Sequence, residues 1–515
     1  MGENGSAEGP EADFIIGNPP FLGSKLFRKS GLPDDYVAAM YTAFDLPKTS
    51  DLCCYWFELA RQAIEKNPSL RAGLLATQGI RGGDNRTVLE RIKKTGDIFM
   101  AWSDREWVLD GANVHVSMVG FDNGTQKERM LDGQSVSEIH SDIGSGEDQT
   151  SANVLPQNAG IGFMGDTKGG AFDITWECAS NLLATPNPTG RDNSEVLRPW
   201  VNGSDLTKRG RGMWIVDFGC EMPLQEAAGF ESPLRIIEEN VKPERANNRR
   251  AAYAERWWIH VEPRPAMRAA LPNERVIVTP NVTKHRLFVI LDGRVLPDHQ
   301  LIVFARSDDY FFGVLHSSIH ELWALRMGTQ LEDRPRYTPT TCFETFALPW
   351  PPGGEPAGDS LLEAIGRAAA ELNQLREKWL NPPEWLAPLE EAVDAEDSFA
   401  DVPASARPLL RHSAIMARAA KDPNLRKRTL TNLYNERPTW LRLAHHALDR
   451  AVLAAYASLD PTGLWPSTWA DLWLDSGAGQ PLPPAHPLAA QRAEVDQQVL
   501  ANLLRLNRER GGDVQ

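Results

Sequence analysis

Between residues 13 and 122 the spacing of apolar positions changes period several times. Asp13-Phe14-Ile15-Ile16-Gly17 is a short apolar run that stops at Pro19-Pro20, which predicts a strand ending in a turn. A helix is predicted over 34–43. A stronger one is predicted over 51–67, where Leu52, Trp56, Leu59, Ala60 and Ile64 recur at helical spacing behind Asp51 as a candidate cap. Ala72–Thr77 reads as a buried strand and Asn85 as the cap of a helix over 86–94. The alternation of Val114, Val116 and Met118 reads as a strand closing near Phe121. Strands separated by helices predict a mostly parallel α/β sheet, and the roughly four strands countable here make about half of a doubly wound one.

The pattern then weakens. Residues 123–170 are rich in Gly, Ser, Asp, Gln and Asn and read as linker or loops. From 173 to 352 short strands (Met213–Phe218, Arg275–Val278, Leu287–Leu291, Gln300–Phe304) alternate with helices and turns, an α+β texture. Pro349-Trp350-Pro351-Pro352-Gly353-Gly354 marks a boundary, and helical patterns follow over 360–379, 432–458 and 488–508. No internal repeat is found. A chain of 515 residues exceeds one core, and these breaks predict domains over 1–125, 126–355 and 356–515.

Composition narrows the class. Apolar residues are 42% and charged residues 24%, as in globular proteins, and no apolar run is long enough to span a bilayer. The first twelve residues are polar and acidic, unlike a secretory signal. Five cysteines without a CxxC pair argue against a disulfide scaffold or a structural zinc site, so a cytoplasmic location is expected. The net charge of −15 opposes a nucleic-acid partner on average, yet residues 235–294 hold 12 Lys/Arg against 7 Asp/Glu, a local +5.

The sharpest chemical signal is Gly17-Asn18-Pro19-Pro20-Phe21. An exocyclic amine is a poor nucleophile because its lone pair is delocalised into the base. Two acceptors placed on that amine localise the pair, and the Asn18 side-chain oxygen with the Pro19 carbonyl can provide them. Successive prolines hold φ near −65° and make the turn rigid. Phe21 would stack on a base flipped from the duplex. The chain carries its own control in Asn381-Pro382-Pro383-Glu384, which follows a helix, lacks the aromatic residue and reads as a plain turn.

On these residues the sequence resembles adenine-specific DNA amino-methyltransferases. Asp51-Leu-Cys-Cys-Tyr-Trp-Phe, Arg198-Pro-Trp-Val-Asn-Gly, Glu255-Arg-Trp-Trp, Leu322-Trp-Ala-Leu-Arg-Met-Gly, Arg336-Tyr-Thr-Pro-Thr-Thr and Thr429-Leu-Thr-Asn-Leu-Tyr-Asn extend that resemblance to the large bacterial type IIG-like restriction–modification and phage-defence enzymes. The resemblance implies a partial Rossmann-like methyltransferase sheet, then an α+β target-recognition domain, then a helical C-terminal region. It implies S-adenosylmethionine as methyl donor, double-stranded DNA as partner, and Asn18, Pro19, Pro20 and Phe21 as catalytic residues. That family binds the donor through a Gly-rich loop upstream of the Asn-Pro-Pro-Phe turn. Only twelve polar residues precede the first strand here, so a truncated front is expected, or one supplied by a separate polypeptide, with a restriction or helicase subunit as a further candidate partner. Gly160-Ile-Gly162-Phe-Met-Gly165 fits the letters of a dinucleotide fingerprint but lacks a good strand before it and a helix after it. The rival expectation is a DNA-binding specificity protein of the same shape without turnover.

Candidate DNA contacts are Arg245, Arg249, Arg250, Trp257, Lys284, His285 and Arg286 in or beside the basic window, with Arg334, Arg336 and Thr338 on a loop. His316, His320 and Glu321 invite a metal reading because the histidines lie four apart, yet no third ligand is near, and no metal is expected. The chain has no Pro-Cys for cytosine carbon methylation, no Glu-x-Lys of a common nuclease site and no P-loop.

Overall fold

The computed structural model describes residues 12–109, 112–145, 152–246, 248, 250–272, 274–331, 334–396, 399–460, 465–466, 468–476, 482 and 486–512. Two compact units emerge: residues 1–151 with 329–333, and residues 152–328 with 334–515.

The first unit is built on a six-stranded sheet. Its strands are β1 (Phe14–Gly17), β2 (Arg71–Thr77), β3 (Asp97–Leu109), β4 (Ala112–Asp122), β5 (Arg129–Leu131) and β6 (Gln134–Val136), in the order β1-β2-β4-β3-β5-β6. Only β1/β2 and β3/β5 are parallel; β2/β4, β3/β4 and β5/β6 are antiparallel. The expected mostly parallel sheet is therefore corrected to a mixed one. The reason is the long β3–β4 hairpin, whose short connection forces an antiparallel pair where a parallel one would need a crossover. The expected linker over 123–170 also changes: β5 and β6 extend this sheet.

Helices α1 (Asp34–Ala43), α2 (Leu52–Lys66) and α3 (Thr87–Thr95) pack with the sheet around Phe57, Ile64, Leu74, Ile92, Val119 and Phe121. The buried face of α2 is only partly the expected one. Cys53, Phe57, Ala60 and Ile64 are inside, while Trp56 and Leu59 are exposed. The fully buried Glu58 is held by Arg61 and Arg91, whose hydrogen bonds outweigh burial and keep its carboxyl below the usual range.

In the second unit, β7 (Gly162–Met164), β8 (Asp173–Ile174), β9 (Leu197–Val201), β10 (Trp214–Val216), β11 (Arg275–Pro280), β12 (Val289–Asp292), β13 (Leu296–Pro297) and β14 (Leu301–Phe304) form two four-stranded sheets, β13-β9-β10-β8 and β12-β11-β14-β7. Alternate β11 and β14 residues feed different cores: Ile277, Ile302 and Phe304 on one side, Val276, Val278 and Val303 on the other. The helices Ser360–Leu380, Thr439–Leu459 and Ala489–Gly511 bury Leu372, Leu448 and Leu503 in the first of these cores. The helix expected over 432–458 is two helices, Leu430–Glu436 and Thr439–Leu459, because Arg437 adopts a left-handed φ of 43° and Pro438 follows.

Candidate functional site

The Asn18–Phe21 turn sits at the carboxyl end of β1, where open α/β sheets place ligands. Asn18 is exposed, and among the described residues its side chain makes no hydrogen bond. Pro19 is buried, Pro20 exposed, and Phe21 half-buried against the core of the unit. The chain after the turn is tied down rather than loose. Leu22 accepts a hydrogen bond from the Leu52 N–H at 2.9 Å, and the Ser24 N–H donates to Asp51 Oδ1 at 3.3 Å.

Asp51 stands at the cap position of α2, but its carboxylate makes no capping hydrogen bond. Its other oxygen accepts from Asn85 Nδ2 at 2.8 Å, while its N–H donates to Asn85 Oδ1 at 2.8 Å. The expected cap role of Asn85 is therefore corrected: α3 begins behind Arg86 without a side-chain cap, and the Asn85 amide is fully engaged by Asp51. Sequence spacing missed this function, since Ser24, Asp51 and Asn85 lie far apart in the chain.

The control motif behaves differently. Asn381 closes the helix Ser360–Leu380, its amide meets Glu377 and Arg209, and Pro383 opens the next helix. Gly160–Gly165 is no phosphate loop. Gly162 lies in β7 under Phe343 and Phe304, and a Cβ on Gly165 would meet the Asp298 carbonyl oxygen at 2.2 Å. Close packing explains those glycines.

Of the candidate DNA contacts, three do not face solvent, and each is corrected. Arg245 is 2% exposed, and its guanidinium donates to the carbonyls of Lys168, Gly169, Arg256, Trp257 and Ile259. Burial lowers its pKa. Arg286 is likewise buried, donating to Thr279 Oγ1 and to the Pro280 and Pro335 carbonyls. Trp257 packs edge-on against Trp258 in the second core of this unit. These side chains are buried and tie loops to the core, so they are not presented to DNA. Arg249 lies outside the described residues. Arg250 is exposed and donates to Tyr253 at 2.6 Å.

The rest converge. The loop carrying Lys284 and His285 lies beside the strand Arg334–Arg336: Val282 bridges to Arg336, and the Thr283 N–H donates to the Pro335 carbonyl at 3.3 Å. Lys284, Arg334 and Arg336 are exposed there. Lys284 Nζ and His285 Nε2 both meet Asn435 Oδ1 at 2.9 Å, which brings the Thr429–Asn435 motif to the same surface. Thr338 is half-buried at the head of the one-turn helix Pro339–Phe343.

His316 and His320 do not share a helix, because Ser317 separates Asp309–His316 from Ser318–Met327 and caps the second. His316 meets Arg376 and Tyr434, and His320 meets Tyr337, all in the core. Among the described residues no cluster of three His, Cys, Asp or Glu is placed to hold a metal, and no helix is long and apolar enough to cross a membrane.

Comparison with known proteins bears on both units. Residues 2–132 match the family model of the MmeI DNA-methyltransferase domain, and residues 170–351 match that of the MmeI target recognition domain. The chain carries MmeI-type methyltransferase and target-recognition domains. The MmeI-type pair follows the order expected from the sequence. The structure of the type IIL restriction–modification enzyme MmeI in complex with DNA superposes with a TM-score of 0.61 and 18% identity, covering 95% of this chain and 57% of that one, which establishes the shared fold. DNA methyltransferase A of Bacillus subtilis (strain 168) is 22% identical over 365 residues, 67% of this chain and 40% of that protein. The chain thus spans less than two thirds of the length of either relative.

Proposed function

We propose that this chain presents the exocyclic amine of adenine in double-stranded DNA for site-specific methyl transfer in a restriction–modification or phage-defence system. The observation that carries this reading is the exposed amide of Asn18, without a hydrogen-bond partner among the described residues, on a rigid Pro-Pro turn at the end of β1. Asn18 Oδ1 and the Pro19 carbonyl accept from the amine, localising its lone pair. Phe21 stacks on the extruded base. Membership of an MmeI-type methyltransferase domain supports the chemistry, and the target-recognition domain supports the choice of DNA site.

S-adenosylmethionine is the donor that such a domain implies. Gly160–Gly165 does not fit it, because those residues belong to a packed sheet of the other unit. No donor-side step is assigned to them.

The test is to express the gene, with the reading frames that adjoin it, in a host lacking adenine methylation, and to map N6-methyladenine by single-molecule sequencing. The expected result is one methylated sequence motif in the wild type and none in Asn18→Ala, with DNA binding retained. Methylation by that variant, or unmodified DNA in the wild type, overturns the reading; the second outcome leaves a DNA-binding specificity protein.

A further inference from the structure

A cavity of about 440 Å³ opens in the second unit between β9, the end of β10 and the segment Ser405–Leu409. Its walls are Leu197, Pro199, Phe218, Met222 and Leu409, and Arg198 of the Arg198-Pro-Trp motif projects into it. The charges around it are nearly all matched. Arg268 bridges Asp217 and Asp166, with its Nε–H on the Pro263 carbonyl. Arg294 forks onto Asp292, and Glu195 pairs with Arg191.

Arg198 is the exception. Its nearest carboxylate oxygen, on Asp217, is 3.8 Å away and already accepts from Arg268. The other Asp217 oxygen accepts from the Gly219 N–H and from Arg268. Among the described residues the Arg198 guanidinium makes no hydrogen bond, although the side chain is only 35% exposed. Burial lowers its pKa and Asp217 only partly compensates. A desolvated guanidinium with a vacant fork is costly unless an acceptor arrives. The hydroxyls of Ser194 and Ser405 on the cavity rim are also without partners among the described residues.

We propose that this pocket binds a monoanionic phosphodiester, with both free oxygens on the Arg198 fork and the sugar or base against the apolar wall. Asp217 and Asp166 together balance Arg198 and Arg268, so the open Arg198 fork favours a monoanion over a phosphate monoester, which would bring nearly two negative charges. The source is either a DNA backbone or a free nucleotide. This assignment does not rest on methyl transfer, which uses the other unit.

The test is calorimetry of the full chain with thymidylyl-thymidine, with 3′,5′-cyclic AMP and with duplex DNA, and with acetate and inorganic phosphate as controls. Arg198→Met should weaken phosphodiester binding on the order of tenfold to a hundredfold. Ser405→Trp, at an exposed position that tolerates bulk, should block the same ligands without touching the charge network. Parallel losses for duplex DNA assign the source to the backbone; losses confined to the small ligands assign it to a free nucleotide. Equal affinity in the wild type and both variants, or binding of acetate in preference to every phosphodiester, overturns the proposal.

Discussion

Asp51 and Asn85 grip each other twice, backbone N–H to side-chain oxygen and side-chain amide to carboxylate, each at 2.8 Å. The free Asp51 oxygen then holds Ser24, a few residues beyond the Asn-Pro-Pro-Phe turn. Asn85→Ala should remove that brace. We expect stability to fall by about 1–2 kcal/mol, with methyl transfer falling more than DNA affinity does. Unfolding by denaturant and single-turnover kinetics on one DNA check this, and an unchanged rate would detach the brace from catalysis.

Buried and exposed cations should separate cleanly. Lys284→Ala and Arg336→Ala should each reduce the salt dependence of DNA binding by about one counterion. Arg245→Met should leave that slope alone and cost about 2–4 kcal/mol of stability, because several carbonyls lose their donor. Binding titrations across a salt series and melting curves distinguish the two classes.

Burial raises the Glu321 carboxyl to about 7. The folded chain therefore keeps a proton that the unfolded chain has released, and this contribution to stability is lost as pH rises from the ordinary carboxylate range through about 7. His320 and His445 act in the opposite sense. Burial holds both down to about 3, so the unfolded chain takes up protons below about pH 6.5 and stability drops as pH falls. Glu321→Gln should stabilise the protein at about pH 8, on the order of 2–3 kcal/mol, and change little near pH 5. Thermal unfolding at the two pH values measures it; equal effects at both would exclude an ionised buried Glu321.

Gly165→Ala places a methyl group 2.2 Å from the Asp298 carbonyl oxygen. Gross destabilisation is expected. If S-adenosylmethionine affinity fell instead while the melting temperature held, the fingerprint reading of Gly160–Gly165 would return.

How much was readable in advance follows from the range of the interactions. The Asn18–Phe21 turn, β1, β2 and α1 come from contiguous residues whose periodicity and proline content act locally, so the sequence alone determined them. The order of methyltransferase and target-recognition segments was legible because several motifs occur in register. Three features were decided only by tertiary contacts. The inward face of α2 turns on Phe57 rather than Trp56, because both faces carry apolar residues and only the sheet selects one. Arg245 and Arg286 read as free cations, since a lone sequence does not show which carbonyls will surround a guanidinium. Asn85 reads as a cap because Asn favours that position, and a partner 34 residues earlier took its amide instead. Local rules set where the chain turns; which polar groups remain available at the surface depends on neighbours that only the folded chain brings together.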